Sequence, residues 1–204
     1  VAMGLPVCVV DDASTDATAQ LAQKAGAYVL VRSVNGGKGT CVRQGLEWIR
    51  QRMGPVWVLM LDADGQHLPE EIPRFLEAGK EGGADVVIGN RMDCPKGMPL
   101  DRRWTNRFMS WLLSHLIRQR VPDTQCGFRL ISPKVVEKIR LSSQRFEIES
   151  ELVLKAGWAG FRIRSIPIAS VYRGGASFIR PVRDTWRFLL FLWRMHWQKM
   201  FGRL

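Results

Sequence analysis

This 204-residue chain contains no run of 18 or more apolar residues, so the sequence offers no membrane-crossing helix of ordinary length. Its four cysteines, Cys8, Cys41, Cys94 and Cys126, include no CxxC pair and no histidine at zinc-ligand spacing, which predicts reduced thiols in a cytoplasmic setting. No signal-peptide pattern is present. A Walker A loop is missing too, because Arg32 stands five positions before Gly37 where that pattern needs glycine, and this argues against an ATPase. Disorder is excluded by a composition that is 46% hydrophobic and 24% charged, ordinary values for a globular protein. Acidic residues are scarce in one half only. Residues 1–100 hold 10 basic and 12 acidic side chains, whereas residues 101–204 hold 20 and 7. The second half is therefore expected to face something anionic: nucleic acid, phospholipid or a phosphorylated substrate.

The most informative stretch is Val56–His67, VWVLMLDADGQH. Its apolar run predicts a buried strand that ends at two aspartates one residue apart. If the extended conformation persists, Asp62 and Asp64 leave the strand on one side, and a cation between them would relieve their repulsion. A hard divalent ion bound by carboxylate and substrate phosphate oxygens suits such a pair. A solvated turn is the competing reading, since Asp, Gly and Gln are common turn residues.

Leu5–Val10 predicts an earlier strand ending at Asp11-Asp12, with Ser14 or Thr15 capping the next helix, which stops at Gly26. Carboxylates at the C-terminal end of a strand in an open α/β sheet lie where nucleotides bind. Ala27–Arg32 reads as a second strand, followed by NGGKGT (Asn35–Thr40) and a helix through Arg52. Glycines, Lys38 and a helix N-terminus together suit a phosphate, although an ordinary strand-to-helix turn has the same composition. Pro69 is expected at the first position of a helix with Glu70 and Glu71 in its first turn. Asp85–Gly89 forms the next strand and delivers Asn90 and Arg91 to the same edge as the aspartates. A helix over Asp101–Gln119 carries Trp104, Phe108, Trp111, Leu112 and His115 on one face. A short strand to Ser132, a helix opening at Phe146 with Glu147, Glu149 and Glu151, and an alternating strand Phe161–Ile168 follow. His67 and His115 are read as loop, core or surface residues. Strand and helix alternating at short intervals predict a doubly wound, mainly parallel α/β sheet.

Taken together, VVDDASTDAT (Val9–Thr18), NGGKGTCVRQGL (Asn35–Leu46), LDADGQH (Leu61–His67), GNR (Gly89–Arg91), TQCGFRLIS (Thr124–Ser132) and FEIESEL (Phe146–Leu152) resemble the family-two glycosyltransferases of the GT-A type. The resemblance is strongest to the branch of dolichol-phosphate mannose synthases and polyprenyl-phosphate sugar transferases, and it covers nearly the whole chain. It implies a GT-A, Rossmann-like domain over residues 1–172 and a basic loop with an amphipathic helix over 173–204. The implied reaction is inverting transfer of a sugar from a UDP- or GDP-sugar to a polyprenyl phosphate or other lipid-linked acceptor. By resemblance, Asp11, Asp12 and Lys38 contact the donor, Asp62 and Asp64 hold diphosphate and metal (Mg²⁺ or Mn²⁺) with Asp64 the direct ligand, and Gln66 and Arg91 lie against diphosphate or sugar. Gln125 and Arg129 face the acceptor phosphate or diphosphate, and Ser177, Arg180 and Arg183 contribute from the basic loop. Asp64, Arg129 and Glu149 form the expected catalytic set. A polyprenyl phosphate is already an oxyanion, whereas a hydroxyl acceptor would need Glu149 or Glu147 as base.

The C-terminal DTWRFLLFLWRMHW (Asp184–Trp197) is too short to span a bilayer and suits an interfacial helix, or equally a helix packed on the core. The expected location is the cytoplasmic face of a membrane, with room for a membrane-protein partner or a second copy. The family's first strand, with its Pro-x-Tyr-Asn-Glu motif, is not found ahead of Val1, so a piece of about 25 residues is expected to be missing. Three other classes compete: a sugar-nucleotide nucleotidyltransferase, a non-catalytic membrane-associated partner, and a nucleic-acid module. Against the last, the basic residues are interleaved with a tryptophan-rich apolar helix and no nucleic-acid motif occurs.

Overall fold

The computed structural model describes residues 3–93, 95, 97–169 and 181–202, with backbone alone for 181–185. The chain divides into two compact units, residues 1–54 with 141–148, and residues 55–140 with 149–204.

In the first unit, β1 (Cys8–Asp11) pairs in parallel with β2 (Tyr28–Val31), Cys8 opposite Tyr28 and Asp11 opposite Val31. The crossover is α1 (Thr18–Lys24). Neither Ser14 nor Thr15 caps it. Ala17 occupies the N-cap position, and Asp16 before it accepts the Thr18 N–H at 3.0 Å and also the Thr18 hydroxyl through Oδ1, bonds that hold the Asp16 carboxyl below its usual range. Next comes α2 (Lys38–Arg52), which buries Leu46 and brings Gly45 against Val10. Its start is packed tightly. A Cβ on Gly39 would lie 2.5 Å from the Ser143 carbonyl oxygen, and Gly37 has φ of +82°. Segment 141–148 thus presses on the glycine-rich turn, and the Thr40 N–H donates to the Gln144 carbonyl at 3.2 Å.

The second unit holds β3 (Val58–Met60), a short 3₁₀ turn (Pro69–Glu71), α3 (Ile72–Lys80), β4 (Val86–Asn90), α4 (Leu100–Ile117), β5 (Arg129–Ile131) and α5 (Pro133–Lys138). Then follow α6 (Glu147–Trp158), whose first two residues belong to the first unit, β6 (Ile163–Pro167) and α7 (Pro181–Met200). Strand order is β3-β5-β4-β6. β4 and β6 pair in parallel, as the alternating pattern predicts, but β5 runs antiparallel to both of its neighbours and makes the sheet mixed. Every residue of β4 is buried, the continuous apolar signature of a strand covered on both faces. Phe75 of α3 stacks on Phe128 with ring centroids 4.2 Å apart, and Leu113, Leu130 and Leu154 complete a fully buried cluster. Such side chains contribute about 1.5–3 kcal/mol each.

The aromatic face of α4 points outward. Asn106, Ser110, Leu113 and Ile117 are its buried stripe, while Trp104 and Trp111 are 70% and 64% exposed. On α7, Phe188, Leu192 and Met195 are buried, and α7 packs with α4. At 100° per residue, Trp186, Leu190, Trp193 and Trp197 lie on the opposite side of α7, and all four are exposed. Among the described residues no helix is long and apolar enough to cross a membrane.

Helices α4 and α6 meet where Gly157 faces Ile117, and a Cβ built on Gly157 would lie 2.6 Å from the Ile117 Cβ. A clash with a β-branched stem is not relieved by rotating a side-chain end. Gly157→Ala is therefore expected to destabilise the fold by about 1–3 kcal/mol, read as a lower urea midpoint.

Candidate functional site

In the first unit, β1 delivers both carboxylates of the Asp11-Asp12 pair to the end of the strand, after which the backbone turns at Ala13 with φ of 62°. Asp12 reaches across to the glycine-rich turn. Its Oδ1 accepts the Gly36 N–H at 2.8 Å and the Arg32 Nε–H at 2.9 Å, and its Oδ2 accepts the Gly37 N–H at 2.7 Å. Amides that precede a helix and would suit a bound phosphate are thus occupied by a carboxylate of the same unit. Burial pushes the Asp12 carboxyl up, but the two glycine amides, the Cys41 thiol and Arg32 outweigh it and hold the group below its usual range. Asp11 is buried, and its Oδ2 accepts the Ser14 N–H at 3.3 Å while Oδ1 has no hydrogen-bond partner. An orphaned, buried carboxylate oxygen is uncommon enough to call for a ligand. Lys38 is the first residue of α2 and half-buried. Nearby Cys41 is pushed up to about 11 by burial and by the Asp12 charge, so it remains a thiol.

In the second unit, β3 ends at Met60, two residues before Asp62, and the chain bends through residues 63–65 with Gly65 at φ of +74°. The extended parity assumed from the sequence therefore does not carry past the strand. A turn sets Asp64 instead: its Oδ1 accepts the Gln66 N–H at 3.0 Å. Asp62 and Gln66 are half-buried, and Asp64 is exposed. Among the described residues no group of three or more His, Cys, Asp or Glu side chains could hold a metal by itself. Two carboxylates at a turn nonetheless fit a hard divalent ion that takes its other ligands from water and a diphosphate, the usual habit of Mg²⁺.

The remaining site residues of this unit are buried and paired. Arg91 forms a two-pronged ion pair with Asp123, Nε to Oδ2 at 2.7 Å and Nη2 to Oδ1 at 2.9 Å. Arg129 is wholly buried and donates to three backbone carbonyls, those of Cys126, Glu149 and Thr124, each at 2.7 Å. Burial lowers its pKa, opposed chiefly by the Glu149 charge. Gln125 Nε2 donates to the Ser150 and Thr124 hydroxyls, both at 3.1 Å. Glu149 is 7% exposed, and Glu151, fully buried, pairs with Lys155 at 2.8 Å. Ser177 and Arg180 lie outside the described residues, as does the side chain of Arg183. Sequence reasoning passed over Asp123, which answers Arg91 from 32 positions away, a distance at which spacing carries no signal; His67, beside the aspartates, was read as a loop residue and is buried.

The profile of the family described as Glycosyl transferase family 2 matches residues 4–140. Among curated proteins, the chain is 32% identical over 180 residues to the polyprenol monophosphomannose synthase of Mycolicibacterium smegmatis, covering 82% of this chain and 67% of that protein. It is also 32% identical over 179 residues to the undecaprenyl-phosphate mannosyltransferase of Micrococcus luteus, covering 82% and 72%. Against Haloferax volcanii glycosyltransferase AglJ, the identity is 32% over 192 residues, covering 92% of this chain and 62% of that one. Among solved structures, mannosyl-3-phosphoglycerate synthase from Rubrobacter xylanophilus aligns with a TM-score of 0.69 at 19% identity, covering 98% of this chain and 65% of that one. Glucosyl-3-phosphoglycerate synthase from Mycobacterium tuberculosis, in complex with Mn²⁺, UDP and phosphoglyceric acid, gives 0.64 at 18%, covering 84% and 61%. These likenesses show that the fold is of the GT-A type.

Asp12 gives a pH signature. Its folded pKa lies below the unfolded value near 3.8, so its stabilisation is complete above that value and is lost as pH falls through the folded one. Asp12→Asn is expected to cost about 1.5–3 kcal/mol at pH 7, with the gap from wild type narrowing below pH 3.8, measured by urea unfolding at both pH values.

Proposed function

Because the chain belongs to glycosyl transferase family 2, we propose that it moves a hexose from a UDP- or GDP-sugar to a polyprenyl phosphate at a membrane surface, with inversion at the anomeric carbon. The observation that carries this reading is the pair Asp62 and Asp64 at the exposed end of β3, in a chain 32% identical to two polyprenyl-phosphate mannosyl-transferring enzymes. An acceptor phosphate oxygen attacks the anomeric carbon as the bond to the nucleoside diphosphate breaks and its electron pair leaves with the diphosphate. The acceptor is already ionised, so no proton need be removed.

A divalent ion, Mg²⁺ or the Mn²⁺ seen with UDP in one structural neighbour, would offset the charge growing on the leaving diphosphate. Asp64 and Asp62 are assigned to hold it, and Gln66 to the diphosphate beside them. In the first unit, Asp11 is assigned to the nucleoside through its orphaned Oδ1 and Lys38 to the donor phosphates, with Asp12 shaping the turn. Arg91 and Arg129, both paired internally, position their loops rather than touch phosphate, as does Gln125 with its amide on the Ser150 and Thr124 hydroxyls; acceptor phosphate is assigned to Ser177, Arg180 and Arg183.

A phosphate acceptor needs no general base; of the two base candidates for a hydroxyl acceptor, Glu149 is buried and Glu147 is half-buried. The membrane-surface part of the reading is supported by two helices of one unit. Trp104, Phe108 and Trp111 of α4 and Trp186, Trp193 and Trp197 of α7 are exposed, with exposed Arg107, Arg187 and Arg194 between them. Tryptophan for the headgroup zone and cations for anionic lipid are the composition of an interfacial surface.

Transfer from UDP- and GDP-hexoses to undecaprenyl or dolichyl phosphate, assayed with Mn²⁺ or Mg²⁺, is expected to fall at least about 100-fold in Asp64→Ala. Glu149→Gln should retain turnover within a few-fold; a loss comparable to that of Asp64→Ala would move the assignment to hydroxyl acceptors. Co-sedimentation with vesicles containing anionic lipid is expected to weaken on replacing Trp193 and Trp197 by serine, and to weaken with salt.

A further inference from the structure

The aspartate turn is held from both ends, and one of the two ties comes from a residue with no place in the chemistry above. The ring of His67 is 6% exposed, and its Nδ1 accepts the Asp62 N–H at 3.3 Å. A nitrogen that accepts a hydrogen bond is unprotonated, so the proton of the neutral ring sits on Nε2. Nε2 lies 3.9 Å from the Cys126 Sγ, and the ring face is 5.3 Å from Phe128, which itself stacks on Phe75. Cys126 is buried and remains a thiol, its pKa pushed up to about 12 by burial. The imidazole therefore bridges the start of the aspartate turn and the segment that leads into β5, both in the second unit.

We propose that His67 is a positioning residue for the carboxylate pair: by fixing the backbone of Asp62 it keeps the Asp62–Asp64 turn in the shape that receives a divalent ion and a nucleoside diphosphate. This rests on the transferase reading. Two carboxylates close in sequence repel, and a turn with a free amide at Asp62 can relax by rotating one of them away. Supporting groups that orient metal-binding carboxylates are worth about 10–100-fold in metal affinity. The Gln66 N–H ties the turn at its other end through Asp64 Oδ1, and His67 ties the Asp62 backbone amide.

The test uses the full 204-residue chain with three substitutions and two readouts. His67→Asn places an amide oxygen near the Nδ1 position, His67→Leu fills the space with no acceptor, and His67→Gln reaches the Nε2 position instead. Mn²⁺ uptake is followed by the loss of its free-ion paramagnetic resonance signal in the presence of UDP or GDP, and Asp62 amide exchange is followed by NMR without metal. His67→Leu should weaken Mn²⁺ uptake about tenfold or more and remove Asp62 amide protection, while His67→Asn stays within about threefold of wild type. Should His67→Leu not fold, His67→Gln carries the same comparison. Equal Mn²⁺ uptake by His67→Leu and wild type, or an Asn variant as impaired as the Leu variant, overturns the proposal. A wild-type chain that protects the Asp62 amide but takes up no Mn²⁺ with either nucleotide instead overturns the transferase reading beneath it.

Discussion

A buried guanidinium dictates the centre of the second unit. Arg129 cannot lose its charge and has no exposure, so its donors must find acceptors within the protein. It finds three carbonyls, on Thr124, Cys126 and Glu149. Two of these close the loop that precedes β5 and the third anchors α6. Arg129 also stands opposite Met60 of β3 and Ile88 of β4 in the sheet, so the residue that organises the loop sets the register of the strands leading to Asp62 and to Arg91. At about 1.5–3 kcal/mol for each hydrogen bond to a charged group, this one side chain decides where both strand ends lie. The motif TQCGFR is thus a folding instruction for neighbouring motifs.

The same economy recurs wherever charge is buried. Arg91 is matched by Asp123, Lys155 by Glu151, and Asp12 by two amides and Arg32. Each pairing removes a charged group from the pool available to a ligand, because leaving its partner unmatched in the interior would cost more than a ligand contact returns. Two carboxylates differ from these: Asp11 is buried with its Oδ1 lacking a partner, and the Asp64 carboxylate is exposed while accepting the Gln66 N–H.

Periodicity made most of the elements legible. The apolar runs at Val56, Asp85 and Phe161 are strands, Lys38–Arg52 and the segment opening near Asp101 are helices, and the DAD step ends a strand. What the sequence could not convey was direction and partnership. Alternation of strand and helix implies parallel pairing, but β5 follows a helix and loop that return the chain the other way, and nothing local to RLI encodes that. The stripe Trp104, Phe108, Trp111 was legible as one face of a helix, but which way that face points was not. The buried stripe is Asn106, Ser110, Leu113 and Ile117, with Ser110 accepting the Thr124 N–H and bonding its hydroxyl. The glycine-rich turn read as a phosphate cradle because glycine exposes amides. Its glycines also admit the 143–145 backbone, and its amides meet a carboxylate 25 positions away.

The outward face of α4 bears on function. Exposing an aromatic stripe opposite a buried one that already includes Leu113 and Ile117 is unfavourable for a helix surrounded by water, by about 25 cal/mol for each Å² of apolar surface left exposed. Two helices of one unit show outward tryptophans, and α7 does so while burying a separate stripe opposite them. Core packing is thereby already satisfied on α7, so the exposed tryptophans are not left over from a shortage of inward positions. A surface of this kind is stabilised when its solvent is a headgroup layer, where indole is amphipathic enough to rest and arginine meets anionic phosphate. Under the proposed function, the excess of cations in residues 101–204 would meet the phosphate of a lipid-linked acceptor and the phosphates of surrounding lipids at one surface.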